Sequence, residues 1–107
     1  MKRISKKQNV INRELKKVYN EIAYERGHFC TGCGTSNNLS HSHIIPRSRR
    51  SDLTTDKRNI TYHCLSIGEH KGCHDKWEGK QRVELLDYER NMDYIKEVDQ
   101  EYYYLIK

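Results

Sequence analysis

A chain of 107 residues has room for one domain. With 35% hydrophobic and 33% charged residues it cannot build a thick apolar core, and no stretch approaches the roughly 20 apolar residues of a membrane span. The net charge of +5 is unevenly placed: residues 1–79 hold 15 Lys/Arg against 8 Asp/Glu, and residues 80–107 hold 5 against 7. A basic body with an acidic tail suits a polyanionic partner better than a cationic one.

The first predicted element is an amphipathic helix over 5–26, where Ile11, Leu15, Val18 and Ile22 fall on one face. Ser5 and Gln8 form a candidate capping box and Gly27 a candidate C′ residue. Lys6, Lys7, Arg13, Lys16 and Lys17 occupy the remaining surface. The opening MKRISKKQNV is charged but has no apolar run behind it, so it does not read as a secretory signal. A cytoplasmic, reducing setting is therefore expected, in which four cysteines bind metal more readily than they form disulfides.

Residues 27–38, rich in Gly, Thr, Ser and Asn, predict a loop or knuckle. Residues 39–45 alternate as a strand would, with Leu39, His41, His43 and Ile45 on one side and Ser40, Ser42 and Ile44 on the other, before Pro46 ends it. A long basic connection over 47–58 precedes a second short strand, Ile60 to Cys64, and a Gly-containing loop over 66–72. A helix is expected to begin near Cys73 or His74. Residues 80–107 read as helical, with Leu85, Tyr88, Met92 and Ile95 at helical spacing; the ending 102–106 is compatible with helix or with a docked strand. The expected organisation is α+β: an N-terminal helix (1–27), a metal-bound core (28–79) and a helical extension (80–107).

Cys30 and Cys33 form a C-x2-C pair with glycines at positions 32 and 34, a spacing that brings two thiolates onto one ion. Cys64 and Cys73 are separated by eight residues. If residues 65–72 bulge out, the four thiolates complete a closed tetrahedral zinc site of structural rather than catalytic kind. His63, His70 and His74 are the alternatives to Cys73 as fourth ligand.

The run His41-Ser42-His43-Ile44-Ile45-Pro46-Arg47-Ser48, then Asn59-Ile60-x-x-x-Cys64, then Cys73-His74, resembles the signature of the HNH (ββα-metal) endonucleases. With the upstream C-x2-C pair it resembles their zinc-bearing subgroup of phage and mobile-element type. The resemblance spans about residues 29–79. It implies a ββα-metal core, with His43 as general base, Asn59 holding the His43-bearing loop by hydrogen bonds, and His74 as ligand to a catalytic Mg2+ or other divalent ion. In most of the family an Asp or His directly before the base supplies the second ligand. Ser42 stands there instead, and His41 and Glu78 are the candidates to replace it, with His41 slightly favoured. His63 occupies a position that the resemblance would fill with an apolar residue, and it is assigned to the structure, as is Trp77. Arg47, Arg49, Arg50, Lys57 and Arg58 flank the expected site and are candidate phosphate contacts.

The expected function is therefore metal-dependent hydrolysis or nicking of DNA, leaving 5′-phosphate ends as the resemblance implies. Two rivals follow from the same residues. The Ser42 departure suits a catalytically inactive zinc module binding nucleic acid or protein, and the acidic 80–107 extension suits a protein-interaction domain.

Overall fold

In the computed structural model, which describes residues 6–107, helix α1 (Lys6–Arg26) leads into a knuckle, a β-hairpin and three further helices. Strands β1 (Leu39–His43) and β2 (Ile60–Cys64) pair antiparallel, with Leu39 opposite Cys64, His41 opposite Tyr62 and His43 opposite Ile60. Helix α2 (Cys73–Glu78) follows β2, then α3 (Tyr88–Val98) and α4 (Gln100–Ile106). The class is α+β. Ser5, half of the expected capping box, lies outside the described residues. Among the described residues no helix is long and apolar enough to cross a membrane.

Helix α1 behaves as its spacing dictates. Val18 and Ile22 are buried against Ile60 and Tyr62 of β2, with Leu15, Tyr19 and Leu39 closing around them. Gly27, at φ 76°, ends the helix by donating its N–H to Ala23 O at 3.1 Å; only glycine takes that backbone region without strain. The basic face of Lys6, Lys7, Arg13, Lys16 and Lys17 stays exposed.

The second core cluster lies beyond the hairpin, where Ile44, Ile45, Trp77, Leu85, Met92, Tyr94 and Ile95 pack with Cys30, Cys64 and Cys73. The first strand is shorter than its alternation predicts. It stops at His43, and Ile44 and Ile45 are both buried, at 3% and 0% exposure. The reason is Asn59. Its Oδ1 accepts from Ile45 N at 2.7 Å and its Nδ2 donates to Ile45 O and Leu53 O, each at 3.1 Å. Ile44 N–H still donates to Asn59 O at 2.8 Å, and at Ile45 the Asn59 side chain takes over from the ladder and holds that residue in the core.

The C-terminal extension also differs from a single helical reading. Residues 80–84 form a 3-10 turn, and Leu85 is extended and buried. The next residue's N–H is held by Gly32 O at 3.0 Å. A second break falls at Asp99 (φ −155°), whose side chain caps α4 by accepting from Tyr102 N. Leu85 thus sits at helical spacing yet belongs to the knuckle's packing, and residues 102–106 are helix.

Asp99 also joins the extension to the long basic connection. Arg49 donates to both of its oxygens, at 3.2 and 3.3 Å, and Arg50 lies 3.7 Å away. Arg49's hydrogen bond, the α4 cap and the two positive charges hold the Asp99 carboxyl below its ordinary range against a smaller opposing effect of desolvation. A depressed pKa stabilises the fold above the unfolded carboxylate value, near 4, and that contribution is lost as the pH falls through the folded one. Asp99→Asn is expected to lower the melting temperature at pH 7 and to narrow its difference between pH 7 and pH 3. An unchanged difference would show that these contacts do not carry the acid sensitivity.

Candidate functional site

The Sγ atoms of Cys30, Cys33, Cys64 and Cys73 all lie within 4.8 Å of one another. The Cys33–Cys64 separation is 3.7 Å, close to the edge of about 3.8 Å that four sulfurs at about 2.3 Å from a zinc ion would make. No disulfide joins them. Residues 65–72 do bulge out, closed by a bridge between Ile67 and His70, so the eight-residue gap still delivers Cys73 to the cluster. The approach depends on Gly72, where a Cβ would lie 2.3 Å from Cys64 O. Cys73 N–H donates to Cys64 Sγ at 3.3 Å, which ties the start of α2 to the end of β2. Burial first, then the adjacent Cys30, Cys33 and Cys64, push the Cys73 thiol far above its ordinary range. A cation among the four reverses that preference, because it binds thiolates and neutralises their repulsion. The donor set fits a metal ion.

The histidine alternatives to Cys73 are placed elsewhere. His63 is fully buried and its Nε2 lies 2.9 Å from Asp87 Oδ2, which also accepts from Thr31 at 2.6 Å. Burial raises the Asp87 carboxyl, but the His63 and Thr31 bonds prevail and hold it below the ordinary range. His70 Nε2 stands 3.9 Å from Cys64 Sγ, at the edge of the cluster, and is not one of the four mutually close donors. His74 faces a separate cavity.

That cavity, of about 410 Å³, is lined by His43 and His74 together with His41, Arg47, Glu78 and Arg82, on a wall that includes Trp77 and Tyr102. His43 reaches it from the end of β1. Its Nε2 lies 2.9 Å from Thr54 O, and since a carbonyl only accepts, Nε2 carries the proton and Nδ1 the lone pair. His74 reaches it from the first turn of α2, fixed by Cys73 in the sulfur cluster. Trp77 Nε1 donates to Ile44 O at 3.0 Å, which locks α2 to the strand end that carries His43.

His74, Asp75 and Glu78 bring one donor atom each within 4.8 Å of one another. Glu78 lies one helical turn past His74, as its spacing predicts. Asp75 was not legible as a ligand; it is brought in because Ser66 donates to its Oδ2, and that bond, ahead of the nearby His74, holds its carboxyl below the ordinary range. Among the described residues no three-residue group of metal-binding reach includes His41. Its ring stacks on Tyr19 with centroids 3.6 Å apart and 10° between planes, and its Nε2 is buried without a partner. Burial, then the neighbouring His28 and His43, lower its pKa. Glu78 and Asp75 thus lie within 4.8 Å of His74, whereas His41 is stacked on Tyr19. Ser42 is buried and takes no part in the cavity lining.

Asn59, at 0% exposure, lies behind the cavity and ties Ile45 to Leu53, so it spans the connection whose next residue, Thr54, orients His43. Asn59→Ala would leave the Ile45 N–H without its acceptor and Ile45 O without the Asn59 donor, while Leu53 O keeps Asp56 N–H, at a cost of about 3 kcal/mol. We expect the melting temperature to fall by roughly 10 °C or more. A change of only a degree or two would show that the loop holds without this side chain.

The candidate phosphate contacts divide sharply. Arg49 pairs with Asp99 and Glu101, Arg50 with Asp52 and Asp99, Lys57 with Glu25 and Glu21, and Arg58 with Glu97. Arg47 alone of the five lines the cavity, where it donates to Gln8 Oε1 at 3.0 Å. Arg82 and Tyr102 were missed, because both come from the extension beyond the motif and no spacing rule connects them to it.

The chain matches no family model, no curated protein and no solved structure at a significant level. Its functional reading rests on its own residues.

Proposed function

We propose that this protein is a metal-dependent endonuclease of the HNH (ββα-metal) type that hydrolyses or nicks DNA, with zinc among the four cysteines. The observation that carries the reading is the tautomer imposed on His43. With Nε2–H given to Thr54 O, Nδ1 is left with the lone pair, on a ring that lines the same cavity as His74 and Glu78. A neutral imidazole is suited to accept a proton from water near neutral pH.

In this reading His43 Nδ1 takes a proton from a water as its oxygen attacks the phosphorus, the bond from phosphorus to the 3′ oxygen breaks, and that oxygen takes a proton from solvent water. The products carry a 5′-phosphate and a 3′-hydroxyl. His74 and Glu78, with Asp75 as a third donor, would hold a divalent ion, which supplies charge stabilisation at the phosphate and at the leaving oxygen. Asn59 and Thr54 keep the His43 ring in register. Trp77 keeps the His74-bearing helix against it.

The test is conversion of supercoiled plasmid to nicked or linear forms in Mg2+ or Mn2+. Cleavage dependent on the added ion is expected, and intact plasmid under both ions would overturn the proposal. One observation favours a second reading: Ser42 is buried at 4% exposure with its Oγ unpartnered, so the residue before the base supplies no ligand. An inactive zinc module would then bind DNA in a salt-dependent manner and leave it whole.

A further inference from the structure

Cations facing a nucleic acid must be free to exchange their counterions for phosphate. By that criterion the basic connection over 47–58 is poorly placed. Its Arg49, Arg50, Lys57 and Arg58 each already face a carboxylate at ion-pair distance, and the acids come from α1, the 97–101 segment and the connection itself.

Arg82 differs on each count. It lines the same cavity as His43, His74 and Glu78. Its Nε donates to Gly79 O at 3.1 Å and its guanidinium lies over the Trp77 ring, 5.4 Å from the centroid. These contacts fix the side chain through one nitrogen and one face. Among the described residues no carboxylate pairs with it, and its two terminal nitrogens have no hydrogen-bond partner. A guanidinium held in place by its stem, with its fork open, is the arrangement that binds a phosphate oxygen pair. Trp77 also anchors α2 through Ile44 O, so the fork is referenced to the backbone that carries both histidines.

We propose that Arg82 is the cavity's principal phosphate-binding residue, gripping non-bridging oxygens of the DNA backbone, with Arg47 as a weaker second contact. The assignment rests on the nuclease reading for the identity of the ligand, and it places the phosphate grip on the extension after α2 and outside the basic connection.

The test uses the full chain in a His43→Ala background, which keeps the DNA intact, and measures fluorescence anisotropy of a short labelled duplex over a salt series. Arg82→Gln is expected to weaken binding about tenfold and to reduce the salt slope by about one ion. Arg82→Lys, which keeps the charge and loses the fork, is expected to fall between. Arg49→Gln and Arg58→Gln are expected to change affinity less than about twofold, since each cation is already neutralised. An unaltered slope in Arg82→Gln, in protein that melts like its parent, would overturn the assignment, as would a larger loss from Arg49→Gln or Arg58→Gln. Arg82-dependent binding without plasmid cleavage by the wild type would defeat the nuclease reading and leave this assignment standing. Cleavage by wild type together with an unaltered slope in Arg82→Gln would do the reverse.

Discussion

Cys73→Ser is expected to unfold the molecule. The sulfur cluster joins the knuckle (Cys30, Cys33), the end of β2 (Cys64) and the start of α2 (Cys73), three segments also linked by hydrogen bonds from Thr31 to Tyr62 O and from Ser66 to Asp75. A two-stranded sheet is marginal in water by itself. The remaining core is two small groups, one under α1 and one between the sulfurs and α3. Zinc bound by four thiolates contributes on the order of 10 kcal/mol, and a domain's net stability is only about 5–15 kcal/mol. Loss of one ligand therefore removes a quantity comparable to the whole. The measurement is circular dichroism against temperature together with metal content by mass spectrometry, with about one zinc per chain expected in the wild type. Chelation of the wild type should reproduce the variant's spectrum. A Cys73→Ser protein that melts like the wild type and retains its metal would show that the fourth position is filled by another residue or is not needed.

His43→Ala is expected to abolish plasmid cleavage while leaving the fold intact. The side chain is half-buried and contributes one hydrogen bond, to Thr54 O, so its loss is a small term in stability. General base catalysis by a positioned imidazole contributes about 10²–10⁴-fold, and the Thr54 carbonyl orients the His43 ring for that role. The maximal cleavage rate should fall by that factor while DNA binding stays within about twofold, because in the proposed reaction the residue acts on the water and not on the phosphate. Cleavage at equal rates by variant and wild type would assign the activity to something other than this cavity.

Legibility followed the range over which each residue acts. The α1 stripe, the two strands and the start of α2 could be read because periodicity is a local property, and Leu15, Val18 and Ile22 needed only one face to bury. The four cysteines were legible as a set from thiol chemistry, although the closure of the 64–73 gap depended on Gly72 fitting against the Cys64 carbonyl. The break at Leu85 was hidden because the residue answers to Gly32, far away in the chain, and not to its helical neighbours.

By itself the sequence determined which chemistry was possible: four thiols for one ion, imidazoles at positions 43 and 74, an amide at 59, and an α+β order of elements. Only the tertiary structure decided which groups meet. Carboxylates from α1 and from the 97–101 segment neutralise most of the connection's cations, Asp75 and Glu78 come within 4.8 Å of His74, and Arg82 arrives from outside the motif. Charge and ligand type are properties of a residue, whereas pairing and reach are distances between residues, and those are settled when the chain packs.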